Sequence, residues 1–276
     1  MSTESVLSPS GATTILPLGI DFGVLEAFST GKFPLTSVFA KVGTGGAANM
    51  AYRGAGAGNV LGAPTITNSN FVINTPGTDY VDTGILDTGG DYTAFVIIQN
   101  GNTAAAPTWM AFGTFGTNTT SPAPGVSGIY FEANSATSVR LHDNTYNGST
   151  LVNVNLTLTV ANLQTTPHLF CLQRGSSGGT MTLNIYNITD SGFVAPAATT
   201  TSPYPIDPNL QNTLEIGRAP INGGDGAAQG VCSIPLFSLY TSAIGGGAFM
   251  SPAQIGVVAG YHKRWLAALP SPPYAV

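Results

Sequence analysis

Along much of this chain apolar and polar residues alternate one by one, in short runs separated by clusters of Gly, Asn, Thr and Pro. A period of two belongs to a strand with one face in a core. Leu151 to Val160 follows it strictly, with Val152, Val154, Leu156, Leu158 and Val160 opposed to Leu151, Asn153 and Asn155. Thr180 to Ile188 repeats the pattern, and Tyr80 to Ile85 alternates as well. Gly128 to Glu132 and Val139 to His142 read as a hairpin pair, and Trp109 to Phe115 as a further strand. Tyr92 to Gln99 is apolar on both sides, Phe95 and Ile97 against Ala94, Val96 and Ile98, which predicts a central strand. Val231 to Tyr240 also carries apolar residues on both faces and should be covered on both. Pro235 within it has no N–H to donate, so it implies an edge position or a bulge.

One segment switches to helical spacing. Ile255, Val258, His262, Trp265 and Leu269 recur on one face, and Pro270 stops the run. Ser251 suits the N-cap, Pro252 the first turn, and Gln254 the reciprocal cap three residues on. Met250 and Ile255 have the spacing of a hydrophobic staple. The spacing predicts one helix over about 252–268, packed on a sheet, with Trp265 and His262 on the packed side. Many short strands, one terminal helix and no βαβ rhythm predict an all-β fold, an antiparallel β-sandwich.

The closing block gives that sandwich a resemblance. Leu214, Ile216 and Gly217, then Ile234, Leu236, Leu239 and Tyr240, then Ser251, Gln254 and Ile255 follow the order that ends laminin G-like, or concanavalin A-like, jelly-roll domains. Asp79 to Gly101 resembles the early strand pair of that family, and His168 to Asp190 its central hairpin. Where the family often has Gly after Tyr-x-x, this chain has Tyr186-Asn187-Ile188-Thr189. The resemblance spans roughly residues 67 to 269. It implies a jelly roll with lectin-like use, as found in bacteriophage tail, fibre or decoration proteins.

Composition bears on the partners. Of 276 residues 43% are hydrophobic and only 8% charged, and the net charge is −5. A basic footprint for nucleic acid is missing. No apolar run reaches the ~18 residues of a membrane span. Surfaces with so few ions suit contacts between subunits, because little charge must be desolvated. The first residues, MSTESVLSPSGATT, lack a basic segment followed by an apolar one, so no export signal is expected. Residues 1–66 differ from the rest: between Gly43 and Gly62 the chain is nearly all Gly, Ala and Asn. We read 1–66 as an extended, Gly-rich arm for assembly and 67–276 as the jelly-roll domain. The expected role is a non-enzymatic structural protein of a phage particle, made in the host cytoplasm. Its partners would be copies of itself, other virion proteins and host-surface glycan, with no nucleic acid and no membrane insertion. The alternatives are a glycan-cleaving enzyme or a secreted adhesin module on the same scaffold.

Candidate chemistry is sparse. Glu26, Glu132 and Glu215 stand isolated, and the Glu-x-Asp-x-Glu triplet of glucanases on this fold is absent. Asp79, Asp82, Asp87 and Asp91 cluster at a strand and turn, where capping is the plain explanation and a calcium site the lesser one. His142, His168 and His262 lie far apart, and no nucleophile motif or phosphate loop is present. No catalytic residue, metal or cofactor is therefore expected. Cys171 and Cys232 read as small buried hydrophobes. For sugar, which needs exposed aromatics beside amides and charges, the candidates are Arg140, His142, Asp143, Asn144 and Tyr146 in a loop after a strand, with Trp109 and Tyr130 joining them.

Overall fold

In the computed structural model, the described residues are 34–39, 48–49, 58–63, 65–66, 71–73, 79–87, 90–100, 109–114, 129–205, 213–217, 232–241 and 249–267. In chain order their strands are β1 (Pro34–Phe39), β2 (Ala48–Asn49), β3 (Asn59–Leu61), β4 (Thr65–Ile66), β5 (Phe71–Ile73), β6 (Tyr80–Leu86), β7 (Tyr92–Asn100) and β8 (Trp109–Thr114). Then come β9 (Tyr130–Ser135), β10 (Ser138–Tyr146), β11 (Leu151–Thr159), β12 (His168–Ser177), β13 (Thr180–Asn187), β14 (Ala198–Ser202), β15 (Thr213–Ile216) and β16 (Cys232–Thr241). One helix, α1 (Pro252–Ala267), follows. The strands form two antiparallel sheets. One runs β14-β13-β12-β7-β16-β1-β2, with β5 on β16 and β4 on β5; the other runs β11-β10-β9-β8-β15-β6-β3. The fold class is that expected: an antiparallel β-sandwich with one helix near the C-terminal end.

The period-two pattern decides which side chains meet. Ala94, Val96 and Ile98 of β7 face the layer between the sheets, with Phe131, Leu141 and Phe170. Phe95 and Ile97 point the other way, to a second cluster with Leu169, Cys171 and Tyr240 that Ile255, Val258 and Ala259 of α1 cover. Thus β7 lies between β12 and β16 and is buried on both faces, as its unbroken apolar run requires. At Pro235 the register of β16 with β7 shifts between Ser233 and Leu236. The proline occupies a bulge in an interior strand, and the edge alternative does not hold. Gly178 and Gly179, both at positive φ (59° and 81°), turn β12 into β13.

The start of α1 is built as its residues demand. Gln254 N–H donates to Ser251 Oγ (3.4 Å) and Ser251 N–H donates to Gln254 Oε1 (2.9 Å), the two halves of a capping box. Met250 and Ile255 are both buried in the cluster beneath. His262 is buried there too, its Nε2 2.8 Å from Ser238 Oγ and its ring edge-on to Phe95. Burial pushes its pKa from 6.5 down to about 3. The side chain of Trp265 lies outside the described residues.

Within the stretch 1–66, the described segments are strands. β1 pairs with β16 and β2 with β1; β3 pairs with β6 and β4 with β5. These short segments enter the sheets by pairing backbone groups, β1 along β16 and β3 along β6.

Candidate glycan-binding face

The segment read as a loop after a strand is itself strand. β10 continues to Tyr146, and the turn falls at 147–150, where Asn147 Oδ1 accepts the N–H of Ser149 (3.0 Å) and Thr150 (2.8 Å). A loop would have let all the candidate side chains converge. A strand sends them alternately to two faces.

Asp143 goes inward. It is fully buried and, together with Asp87, holds the buried Arg174. Arg174 Nη1 donates to Asp143 Oδ2 (3.0 Å) and Asp87 Oδ2 (3.0 Å), and Nη2 donates to Asp87 Oδ1 (2.6 Å). Nε and Nη2 also donate to the carbonyl of Gly90, and the guanidinium lies 5.0 Å from the Tyr92 ring centroid. Burial raises the Asp143 pKa from 3.8 to about 6, against the opposing pull of Arg174. A carboxylate engaged in this core cluster is not available to a sugar. The sequence carried one sign of it: an arginine inside the apolar strand HLFCLQRG must find counter-charges if its side chain is buried.

Arg140, His142 and Tyr130 go outward. They meet on the outer face of the seven-stranded sheet, opposite the face that packs in the core. Tyr130 and His142 are direct cross-strand partners, and their rings stack at 4.3 Å and 11°. His142 Nδ1 lies 2.8 Å from Asn155 Oδ1 and Nε2 lies 3.1 Å from Asn144 Oδ1, so two amides fix the imidazole. Arg140 ion-pairs with Glu132, its cross-strand partner, and its guanidinium sits 5.8 Å from the Tyr130 centroid. His142 and Asn144 are buried; Tyr130, Arg140 and Tyr146 are half-buried; Asn153, Asn155 and Thr157 are exposed. Tyr146 is at the end of the strand, its N–H donating to the Pro205 carbonyl (3.0 Å). The backbone of Trp109 pairs with Ala133 of β9, and its side chain lies outside the described residues.

The registers extend this group into one row across the whole sheet. Asn155 pairs with His142, His142 with Tyr130, Tyr130 with Gly113, Gly113 with Glu215, Glu215 with Asp82 and Asp82 with Asn59. Leu214 and Ile216 are core residues, so Glu215 between them turns to the outer face. Phe131 and Ala133 place Glu132 on that face in the same way. The two glutamates that stand alone in sequence are therefore brought to one face, two strands apart. Gly113 contributes no side chain to the row.

The four aspartates of the acidic cluster separate. Asp87 serves Arg174, Asp91 accepts the Ser176 N–H (2.8 Å), Asp82 the Gly84 N–H (2.9 Å) and Asp79 the Ala63 N–H (3.0 Å). Among the described residues no three His, Cys, Asp or Glu side chains gather as metal ligands. No described helix is long and apolar enough to cross a membrane. His142, His168 and His262 occupy three separate places: the outer face, the start of β12 and the layer under α1.

No protein-family model matches the chain. No curated protein sequence matches it. Solved structures do. The binding domain of botulinum neurotoxin serotype C1 matches with a TM-score of 0.52 at 10% identity, over 83% of this chain and 52% of that one. The binding domain of botulinum neurotoxin DC, solved in complex with SialylT, gives 0.53 at 12% identity, over 83% and 51%. An endo-1,3-beta-glucanase from Streptomyces sioyaensis gives 0.45 at 13% identity, over 75% and 95%. This chain spans about half the length of the neurotoxin binding domains it matches. At such identities the likeness to the neurotoxin binding domains is one of fold, and it agrees with the β-sandwich described above.

Proposed function

We propose that this chain binds glycan through the outer face of its seven-stranded sheet, without cleaving it, and that it does so as a structural part of a bacteriophage particle. One observation carries the binding: a half-buried tyrosine stacked on a histidine, beside an arginine and exposed amides, on a sheet face that no described helix covers. Sugar recognition uses such parts. An aromatic ring packs against the apolar face of a pyranose, and amide and guanidinium groups hydrogen-bond its hydroxyls. The rigid strands hold these groups in place before ligand arrives, which reduces the ordering cost of binding. Support also comes from the fold, shared with a neurotoxin binding domain solved in complex with SialylT. The virion assignment draws on the low charge of the chain and on its Gly-rich N-terminal region.

A cleaving enzyme is the second reading, favoured by Glu132 and Glu215, two buried carboxylates on the binding face. Against it, Glu132 is held by Arg140. A glycan array combined with a reducing-sugar assay on its hits separates the two. The proposal expects binding without release of reducing ends, and loss of binding in Tyr130→Ala. Reducing ends that vanish with Glu215→Gln would replace it by the enzyme, and an array with no hit would end both.

A further inference from the structure

The edges of a sheet expose unpaired N–H and C=O groups, and proteins keep such edges short, charged, bulged or broken by proline. Three edges here follow that practice: β2 has two residues, β3 three and β14 five. β11 does not. It is a nine-residue strand, LVNVNLTLT, with no charge, no Gly and no Pro, and it pairs with β10 in unbroken register. Among the described residues β10 is its only strand partner.

The ends of the hairpin fix which groups face outward. Asn147 N–H donates to the Thr150 carbonyl (3.2 Å) at the turn, and Val160 N–H donates to the Thr137 carbonyl (2.8 Å) at the far end. Bonded pairs alternate along an antiparallel ladder. Val152, Val154, Leu156 and Leu158 therefore direct their backbone groups to β10. Leu151, Asn153, Asn155, Thr157 and Thr159 direct theirs to the open edge.

We propose that this edge pairs antiparallel with β11 of a second copy of the chain, about a two-fold axis through Asn155. The strand is self-complementary about that residue. Turned upon itself it sets Asn155 against Asn155, Asn153 against Thr157, Val154 against Leu156 and Val152 against Leu158. Each outward residue then donates to and accepts from an outward residue of the partner, along the whole strand. From 152 to 158 polar side chains stay with polar ones on the outer face, and apolar with apolar on the inner. A two-fold contact of this kind closes on itself, so it yields a dimer and stops. It joins the two seven-stranded sheets into one and leaves α1 untouched.

Sedimentation of the full chain over a concentration series tests this. The expected result is twice the monomer mass. The double variant N153K/T157K sets lysine opposite lysine at both ends of the contact and should sediment as monomer. N153D/T157K sets the new aspartate of one copy opposite the new lysine of the other, only in this register, and should keep the dimer mass. Far-UV circular dichroism and thermal melting matched to the wild type show that both variants fold. A wild-type chain that is monomeric throughout the series, that grows without limit, or that keeps its dimer mass in N153K/T157K overturns the proposal; so does a monomeric N153D/T157K.

Discussion

The outer faces of the two sheets start from the same alternation and end differently. On the nine-stranded sheet, Phe95, Ile97, Leu169, Cys171 and Tyr240 point outward, and α1 lies over them with Ile255, Val258 and Ala259. On the seven-stranded sheet, Tyr130, Glu132, Arg140 and His142 point outward, joined by exposed Asn155 and Thr157. An apolar outer row has to be covered, and the chain places its helix there. The outer row of the seven-stranded sheet is polar, and its buried members Glu132 and His142 are held by an ion pair with Arg140 and by hydrogen bonds to Asn144 and Asn155. The lesson is that the identity of the outward residues, and not the sheet, decides which face the helix covers.

The comparison can be broken most severely from between the two faces. Arg174→Ala leaves Asp87 and Asp143 buried without their cation, and should cost about 3–5 kcal/mol in urea-induced unfolding. A loss under ~1 kcal/mol would show that the cluster contributes little. Next, Ile255→Ala removes a fully buried contact under the helix, and should lower stability by about 2–4 kcal/mol. If it leaves the melting curve unchanged, α1 does not cover that face in solution.

The pH dependence comes third. His262 titrates near 6.5 when unfolded and near 3 when folded. The unfolded chain thus binds the proton first, and stability present above pH 6.5 is lost as the pH falls toward 3, at no more than ~1.4 kcal/mol per pH unit. Asp143 works the other way: its folded pKa of about 6 is raised above the unfolded value, so its contribution is greatest below pH ~4 and fades as pH rises through 6. The two oppose each other between about pH 4 and 6. His262→Gln removes only the first, so unfolding measured at pH 7.5 and 4.5 should show a smaller acid loss in the variant than in the wild type. Equal losses would mean that the imidazole is not buried as described. The smallest stability effect belongs to the proposed binding face. Tyr130→Ala should cost no more than ~1 kcal/mol while abolishing retention on a glycan column, and a variant that loses both fold and binding would erase the distinction drawn here.

Much of the architecture is legible in the sequence because periodicity is local. The alternation from Leu151 to Val160, the two-sided β7 and the Ser251–Gln254 cap each follow from neighbours within a few residues, and each is present. The site is half legible. Residue chemistry picks out Tyr130, Arg140 and His142, but as parts of a loop, and it picks out Asp143 with them because adjacency in sequence looks like adjacency in space. In a strand it means the reverse. The partnership of Arg174 with Asp143 and Asp87 spans 31 and 87 residues, and no local pattern encodes such distances. The shared face of Glu132 and Glu215 depends on sheet order for the same reason.

Arg174 has a further consequence. It belongs to β12 in one sheet, and its ligand Asp143 to β10 in the other. Two hydrocarbon layers are aligned by the interdigitation of their side chains, and the ion pair adds a directional link to it. A guanidinium pinned to a carboxylate across the gap allows one alignment, because any slip would strand a charge in oil. The cluster acts as a dowel, fixing how the seven-stranded sheet sits over the helix-bearing layer below it.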